Sequence, residues 1–292
     1  INYSPIFCEY SLKDFSLEDL KKITSQDVSR YLSINKDNGR KERTVARKRS
    51  SISCFFNYMV DNRYVEYNPV NAAVKVKIHK SDTVTFLDFK EQNKLLETVN
   101  TGSGLDEKKK KYHERYKNRD LALITLFLDT GMRVSELNGI NVGDVDLQYC
   151  YVNIIRKGGD SQRLYFSDEV SELIDQYLCE RQEKYPITLS DPLFVTNKGT
   201  RLSIRAIEVL VKKYTSASIP GIGNKLSPHK LRSSFAMGYY GAVNKDILAL
   251  QKALGHKSLA ATNVYAKATD QQMADNREVM SNLRNLADSR TD

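Results

Sequence analysis

Residues 119–137 read RDLALITLFLDTGMRVSEL, and this stretch decides the kind of fold that the chain adopts. The mostly apolar run at residues 121–128 predicts a strongly apolar helix, which Gly131 ends, because glycine is common just past the end of a helix. Arg133 and Glu136 follow at once. Their spacing of three residues places both side chains on the same face of a helix, where Glu136 is expected to orient the arginine.

The stretch at residues 147–167, LQYCYVNIIRKGGDSQRLYFS, has a different pattern. Apolar and polar side chains alternate along it, which predicts an antiparallel hairpin or meander that turns at Lys157-Gly158-Gly159. Helical patterns return in DEVSELIDQYLCERQ and SIRAIEVLVKKYTSA and dominate the chain beyond them. We therefore predict a fold that is mainly α with a small antiparallel β-sheet.

A separate helical pattern fills residues 12–72. Ser16 and Thr24 are predicted to begin helices, because hydroxyl side chains cap helix N-termini. A third helix is predicted at residues 44–60, TVARKRSSISCFFNYMV, and Pro69 is expected to end it. Its apolar residues recur at helical spacing and are predicted to face a core: Val45, Ile52, Phe55, Phe56 and Met59.

The two helical regions are predicted to be separate domains. A helical DNA-binding domain at residues 1–72 is followed by a linker at 73–86, where helix caps are missing and lysines are frequent. The second domain is predicted at residues 87–292 and ends in a tail helix. Near its start, residues 101–120 (TGSGLDEKKKKYHERYKNRD) are expected to form a Gly-containing loop and a solvated lysine run.

The chain is basic. Its 292 residues include 45 lysines and arginines against 36 aspartates and glutamates, a net charge of +9. This balance favours a polyanionic partner, with nucleic acid as the leading candidate, although a solvated basic surface without a partner is the alternative. Positive charge is concentrated at the start of the third helix. Contact with the DNA backbone is predicted for this cluster, which comprises Arg40, Lys41, Arg43, Arg47 and Lys48.

The cysteines and the hydropathy exclude several other classes of protein. Cys8, Cys54, Cys150 and Cys179 lie far apart, without a CxxC pair or a zinc-ligand spacing, and are predicted to be reduced core thiols. No apolar run approaches the roughly 20 residues that a membrane span needs, and the first residues lack the layout of a signal peptide. A cytoplasmic location is therefore expected.

Four short motifs in the second domain carry residues suited to chemistry on a phosphate. They are TGMRVSEL (130–137), IIRKGGDSQR (154–163), SPHKLRSSFA (227–236) and LGHKSLAATNVYA (254–266). Attack on a phosphodiester spreads negative charge onto its oxygens, which preorganised cations can stabilise. Arg133 and Arg232 suit this task, because guanidinium groups bind phosphate oxygens bidentately and stay charged. A tyrosine such as Tyr265 becomes a nucleophile when a base or positive charge helps to remove its proton.

In this order the four motifs closely resemble those of the tyrosine site-specific recombinases, or phage integrases, of the Xer type or of mobile elements. The resemblance is clearest over residues 40–270 and includes the end of a helical core-binding domain. It implies a two-domain, C-shaped clamp around duplex DNA, with a core-binding domain before the catalytic domain. It also implies strand cleavage and rejoining through a 3′-phosphotyrosine intermediate, for integration, excision or resolution.

The resemblance implies a role for each site residue. Tyr265 attacks the phosphate, Lys157 on the hairpin protonates the leaving 5′-oxygen, and His229 acts as general base. His256 donates a hydrogen bond to a phosphate oxygen and supports the tyrosine, while Glu136 is expected to orient Arg133 or neighbouring groups. The scheme requires no metal and no cofactor. Other residues of the same types compete for the nucleophile and proton-donor roles, namely Tyr239, Tyr240, Lys184 and Lys198.

Duplex DNA that carries recombination sites is the expected partner. The resemblance implies a homo-tetramer on DNA, linked through the tail after residue 270, and the alternative is a tail that folds back on its own domain. The tail has a narrow apolar stripe, formed by Met273, Val279, Met280, Leu283 and Leu286. The resemblance also allows accessory directionality factors or host DNA-bending proteins, and implies no membrane contact. Two alternatives stay open: a type IB topoisomerase that relaxes supercoils, and a DNA-binding protein that has lost catalysis.

Overall fold

The computed structural model describes residues 16–77, 84–156, 158–184 and 186–269. The chain divides into two compact units, Ile1–Ser81 and Asp82–Asp292. The division lies within the stretch 73–86 that the sequence predicts to be a linker, and the predicted domain limits of 1–72 and 87–292 stay predictions. Within the described ranges, no helix combines the length and the apolar character that crossing a lipid bilayer requires.

In residues 16–77, the described part of the first unit, all regular structure is helical. Its helices are α1 (Leu17–Lys21), α2 (Ser25–Asp37) and α3 (Glu42–Asp61). Ser16 and Thr24 cap α1 and α2 as predicted, each accepting a hydrogen bond from a backbone N–H three residues further on. These caps satisfy N–H groups that have no partner inside the helix. The helices pack around a small core of Leu20, Val28, Leu32, Val45, Phe56 and Val70.

Two predictions about α3 are wrong. The helix ends at Asp61, well before Pro69, because Arg63 adopts a φ of +59° that a right-handed helix cannot continue. Phe55 does not face the core: it is 48% exposed, whereas Phe56 is 3% exposed. Consecutive residues of an α-helix point about 100° apart, so only one of these two rings can face the centre of the core.

The second unit is built around a long helix, α5, whose C-terminal half is buried. Its helices are α4 (Phe89–Thr101), α5 (Glu107–Thr130), α6 (Val134–Gly139), α7 (Asp168–Gln182), α8 (Ile204–Ser218), α9 (Pro228–Ala242) and α10 (Ile247–Leu254). Residues 259–269 form a further helix, α11. Leu123, Ile124 and Leu126 of α5 are fully buried, and the helix packs against α4, α7 and α9. The apolar stretch at 121–128 is therefore the centre of this unit.

The start of α5 corrects the prediction for residues 101–120. The Asp106 side chain accepts a hydrogen bond from the backbone N–H of Lys109, so that the helix begins at Glu107 and includes the lysine run. The solvated excursion shrinks to the short loop at residues 102–106. The acidic N-cap explains the difference, because it favours a helix start directly ahead of the lysines.

The predicted hairpin is confirmed as part of a three-stranded antiparallel sheet. Its strands are β1 (Val145–Asp146), β2 (Tyr151–Ile155) and β3 (Ser161–Tyr165), in the order β1-β2-β3. Val152 pairs with Leu164, and both side chains face the core. On the opposite face the Arg163 guanidinium lies 3.8 Å from the centre of the Tyr151 ring. The mainly α fold class with a small antiparallel sheet is thus confirmed.

The described cysteines are free, but their predicted burial is wrong for two of them. Cys54 and Cys179 are exposed on helices, and Cys150 is partly buried. Each of the two exposed thiols lies on the outer face of its helix, because other residues fill the inward positions, such as Phe56 on α3 and Tyr177 on α7. Cys8 lies outside the described residues.

Candidate active site

The C-terminal end of α5 sets the position of Arg133. Gly131 ends the helix with a φ of +55°, and a Cβ at this position would collide with the ring of Phe235. Arg133 then becomes the N-cap residue of α6. Its backbone N–H and its Nη1 both donate to the carboxylate of Glu136, at 2.6 and 2.8 Å. Glu136 therefore holds both the main chain and the side chain of Arg133.

The Glu136 carboxylate also accepts a hydrogen bond from Arg156, a residue that the sequence analysis missed. Arg156 Nη1 lies 2.8 Å from Glu136 Oε2, and both residues are 7% exposed. Burial alone would raise the pKa of Glu136, but hydrogen bonds from Arg133 and the charge of Arg156 outweigh it and hold the pKa below its ordinary value. Glu136 is thus an ionised carboxylate between two guanidinium groups. The only sequence signal for Arg156 was its place beside Lys157.

Arg232 projects from α9 and joins the ends of two other helices. Its Nη1 donates to the carbonyl oxygen of Gly131 at 2.6 Å, and its Nη2 donates to that of Leu254 at 2.7 Å. Burial lowers the pKa of Arg232 to about 10, with a further lowering by the charge of Arg133. The group remains protonated at neutral pH. A second arginine is therefore fixed close to Arg133.

His256 lies directly beyond α10 and contacts Arg232. Arg232 Nη2 lies 3.2 Å from His256 Nε2, and His256 Nδ1 lies 3.0 Å from Thr262 Oγ1. Arginine can only donate, so Nε2 accepts and the proton of the neutral ring is on Nδ1. Burial and the positive charges of Arg232 and Arg133 lower the pKa of His256 to about 4. The imidazole is therefore neutral at pH 7.

Tyr265 lies on α11 and is almost completely buried. Its ring packs in a small apolar cluster with Tyr240, Leu250 and Leu254. Burial and the charge of Arg133 lower the pKa of Arg232, whereas Tyr265 is among the groups that raise the pKa of Arg232. The phenol is therefore within electrostatic range of that guanidinium. Within the part of the chain that the structure describes, no group hydrogen-bonds the Tyr265 hydroxyl.

His229 and Lys157 are less fully defined. His229 is exposed in the first turn of α9, and desolvation followed by the charges of Lys230 and Arg232 lowers its pKa. Burial and the charges of three arginines lower the pKa of His256, and His229 contributes a smaller lowering. Lys157 lies outside the described residues. The residue before it, Arg156, has a described backbone N–H that donates to the carbonyl oxygen of Asp160 at 2.8 Å.

An open cavity of about 660 Å³ is lined by Arg133, Arg156 and His256. The charged side chains of its lining are the cations Arg133, Arg156, Lys252 and Lys257 and one carboxylate, Asp160, so the charge of the lining is positive overall. Such a cavity is electrostatically suited to a phosphate group and poorly suited to a cation. Among the described residues, no group of three or more His, Cys, Asp and Glu side chains is placed to hold a metal ion.

The predicted DNA-binding residues all lie in the first unit. Arg40, Lys41, Arg43 and Arg47 are exposed around the start of α3. Lys48 is partly buried instead, since its Nζ donates to Tyr31 Oη at 3.0 Å. The neighbouring Arg49, part of the same basic run, donates from Nη2 to the carbonyl oxygen of Val70 at 2.8 Å.

Comparison with known proteins points to one family. The family model described as "Phage integrase family" matches residues 85–272, and that described as "Phage integrase, N-terminal SAM-like domain" matches residues 7–63. Tyrosine recombinase XerC of Thermodesulfovibrio yellowstonii is 30% identical over 256 residues, 86% of this chain and 80% of that protein. Tyrosine recombinase XerC of Syntrophus aciditrophicus is 32% identical over 231 residues, 77% of this chain and 69% of that protein.

Solved structures share the fold. The XerH site-specific recombinase bound to palindromic difH substrate, in a post-cleavage complex, has a TM-score of 0.73 at 23% identity, covering 94% of this chain and 77% of that one. The Tn1549 transposon integrase in complex with a circular intermediate DNA has a TM-score of 0.64 at 18% identity, covering 88% and 86%. The predicted resemblance is thus confirmed, and the chain belongs to the phage integrase family of tyrosine recombinases, enzymes that cleave and rejoin DNA strands.

Proposed function

We propose that this chain carries out site-specific DNA recombination with Tyr265 as its nucleophile. The proposal is supported above all by the contact of Arg232 with His256 beside the buried Tyr265. Arg133 lines the same basic cavity as His256. Guanidinium groups in such a cavity would bind the non-bridging oxygens of a DNA phosphate and stabilise the charge that develops as it is attacked.

The proposed reaction exchanges one phosphoester bond for another. The phenolic oxygen of Tyr265 attacks phosphorus, the bond from phosphorus to the 5′-oxygen breaks, and a 3′-phosphotyrosine forms. His229, whose pKa is lowered by desolvation and by neighbouring cations, would accept the phenolic proton. Lys157 would give a proton to the leaving 5′-oxygen. Attack by the 5′-hydroxyl of another strand reverses these steps, and rejoining needs no ATP because the bond energy is kept in the phosphotyrosine.

His256 must change its hydrogen bonding when DNA binds, if it donates to the phosphate. In the structure, Nε2 accepts a hydrogen bond from Arg232. A phosphate that draws Arg232 toward itself would release Nε2, and its negative charge would favour a proton there. Protonated on both nitrogens, the ring would donate to Thr262 and to a phosphate oxygen together. We therefore expect DNA binding to raise the pKa of His256 from about 4.

The first unit would contact the DNA backbone through its exposed arginines. Arg43 and Arg47 are four residues apart on α3, so both project from the same face of the helix. Replacing either by glutamine should weaken DNA binding and reduce the slope of log affinity against log salt by about one. Lys48 is a weaker candidate, because its ammonium group is engaged with Tyr31. An unchanged salt slope in both arginine variants would contradict this assignment.

The assembly is proposed to be a tetramer on paired DNA sites, with the tail after residue 270 packed on a neighbouring protomer. The tail lies outside the described residues, and the proposal rests on its narrow apolar stripe in the sequence. The setting would be a mobile element or a resolution system acting on DNA in the cytoplasm, with or without accessory DNA-bending factors. Truncation after Thr269 should preserve binding to a single site and abolish pairing of two sites in a gel-shift assay.

A nicked DNA substrate tests the central proposal. A nick beside the scissile phosphate lets the released fragment diffuse away, so that the active chain accumulates as a covalent adduct. Tyr265→Phe should bind DNA and trap nothing, while Tyr240→Phe, a matched change in the same apolar cluster, should still trap adduct. Equal trapping by wild type and Tyr265→Phe would refute the assignment. Relaxation of plasmids without a recombination site would instead favour a type IB topoisomerase.

A further inference from the structure

Arg156 is a buried arginine with three partners from three different parts of the second unit. Its Nη1 donates to Glu136 Oε2 at 2.8 Å and its Nε donates to Gln162 Oε1 at 2.7 Å. Its Nη2 donates to the carbonyl oxygen of Ala253 at 3.2 Å. These bonds occupy one donor on each of its nitrogens. The side chain is therefore directed by the protein and is poorly placed to serve chiefly as a ligand for DNA.

Each partner of Arg156 leads to a different group of the proposed site. Glu136 binds Arg133, and Ala253 lies near the end of α10, three residues before His256. Gly255, between them, has a φ of +60°, and a Cβ there would lie 2.7 Å from Arg156 Nε. The turn before His256 thus closes directly on the guanidinium. Arg156 consequently ties the phosphate-binding groups to one another.

The third partner ties this group to the hairpin. Gln162 is on β3, while Arg156 directly follows β2, so their hydrogen bond crosses the mouth of the hairpin turn. The main chain reinforces it: the Arg156 N–H donates to Asp160 at 2.8 Å, and the Gly159 N–H donates to the Arg156 carbonyl at 3.0 Å. Arg156 is also peptide-bonded to Lys157. Fixing Arg156 therefore fixes the point from which Lys157 departs.

We propose that Arg156 is a positioning residue that holds the two strands of the hairpin in register with Arg133 and His256, and that proton delivery by Lys157, the next residue in the sequence, depends on it. The inference rests on the proposed function, in which Lys157 protonates the leaving 5′-oxygen. A planar guanidinium can reach acceptors in three directions at once, whereas a lysine ammonium on a flexible stem cannot hold the same three. Arg156→Lys should therefore misplace the hairpin while keeping the positive charge.

The test compares two nicked substrates that differ at one atom. In the first the leaving atom is the ordinary 5′-oxygen, and in the second it is sulfur, which departs as a stable thiolate and needs no proton. With oxygen, Arg156→Lys should cleave about 10–100-fold more slowly than wild type, because a correctly placed general acid contributes about 10²–10⁴-fold. With sulfur, most of this loss should disappear, because proton delivery no longer matters, and only the part that acts through Arg133 and His256 should remain.

A second substitution keeps the test valid if Arg156→Lys fails to fold. Gln162→Leu removes one of the three hydrogen bonds of Arg156, so its loss of cleavage rate should be smaller and should show the same rescue by sulfur. Gln162→Glu retains an acceptor for Arg156 and should cleave the oxygen substrate at the wild-type rate. Arg163→Gln is the matched control, since Arg163 lies on the other face of β3 against Tyr151. It should stay within about twofold of wild type on both substrates. Thermal unfolding of each variant identifies those that are folded.

Lys157→Ala separates the inference from the proposed function. If sulfur rescues Lys157→Ala but neither Arg156→Lys nor Gln162→Leu, then Arg156 does not act through the hairpin and the inference is refuted while the function stands. If sulfur does not rescue Lys157→Ala, the proton-donor role falls, and the inference falls with it. Normal cleavage of the oxygen substrate by both Arg156→Lys and Gln162→Leu would also overturn the inference.

Discussion

Replacing Glu136 by glutamine tests the electrostatic arrangement of the site, because the shape of the side chain is kept and its charge is lost. Glu136 accepts hydrogen bonds from the N–H and Nη1 of Arg133 and from Nη1 of Arg156, at 2.6–2.8 Å. The amide has only one acceptor oxygen, so at least one arginine N–H would face an NH₂ donor instead. Arg156, whose side chain is 7% exposed, would also lose its buried counter-charge.

The size of the effect follows from the burial of each partner. Removing one member of a buried ion pair costs about 3–5 kcal/mol. The Arg133 side chain is 35% exposed and its interaction is partly screened, so we expect a loss of about 2–4 kcal/mol at pH 7. For a unit of about this size, that loss lowers the unfolding midpoint by about 5–12 °C. Cleavage of the nicked substrate should also fall, by about 10–100-fold, because Arg133 is no longer held in place.

The assay is thermal unfolding of wild type and variant over a range of pH. Hydrogen bonds from Arg133 and the charge of Arg156 outweigh burial and lower the pKa of Glu136 in the folded chain, below 4.5. The stabilisation is therefore fully present above pH 4.5 and is lost as the pH falls through the folded pKa. The difference between wild type and Glu136→Gln should shrink accordingly in acid.

A matched control is available on the surface. Arg205 and Glu208 form an ion pair with the same spacing of three residues, at 3.1 Å, but their side chains are 82% and 43% exposed. Glu208→Gln should cost only about 0–1 kcal/mol. If Glu136→Gln is no more destabilising than Glu208→Gln at pH 7, or if its effect is independent of pH, the reasoning is refuted.

Three further predictions concern the surroundings of His256. Thr262→Val leaves His256 Nδ1 without its buried hydrogen-bond partner and should lower the free energy of unfolding by about 1–3 kcal/mol. Thr262→Ser keeps a hydroxyl and should lower it clearly less, and equal losses in a thermal unfolding assay would contradict the hydrogen bond. Gly255→Ala should destabilise the folded chain by about 1–3 kcal/mol more than Gly199→Ala does. Both glycines have a positive φ, but only a Cβ at position 255 would meet another group, Arg156 Nε at 2.7 Å. His256→Asn should reduce the acid sensitivity of folding. The pKa of His256 is about 4 in the folded chain against an ordinary value of 6.5, so the unfolded chain binds more protons between these two pH values. Wild-type stability therefore falls as the pH drops from 6.5 to 4, by on the order of 2 kcal/mol. A variant with an unchanged pH profile would show that His256 does not titrate in this way.

The sequence could predict what is encoded in short contiguous segments. Arg133, Arg232 and His256 each belong to a compact motif, and the structure brings these three side chains into one region. The hairpin was equally accessible, because alternation in β2 and β3 is a local pattern. The helix starts at Ser16 and Thr24 could be predicted because a single capping side chain and the few residues after it are enough to indicate an N-terminus.

The features that the sequence analysis missed depend on contacts between distant residues or on competition between local signals. Arg156 finds its partners at positions 136, 162 and 253, whereas locally RKGG is typical of a solvated turn. Periodicity alone could not decide between Phe55 and Phe56, because both fit a broad apolar stripe and only packing in the core of the first unit distinguishes them. The charge of the lysine run at the start of α5 favours a solvated segment, and this local signal competes with that of Asp106 as a helix cap.

The contacts of Arg232 also determine what a substitution at this position would do. Its guanidinium group binds the main-chain carbonyls of Gly131 and Leu254, and so braces the ends of α5 and α10 against each other. Any exchange at this position would loosen the scaffold at the same time as it altered chemistry, and the two defects would be hard to tell apart. An inert version of the protein, intended for capturing assemblies on DNA, is therefore better made at Tyr265, where loss of a single hydroxyl leaves the brace intact.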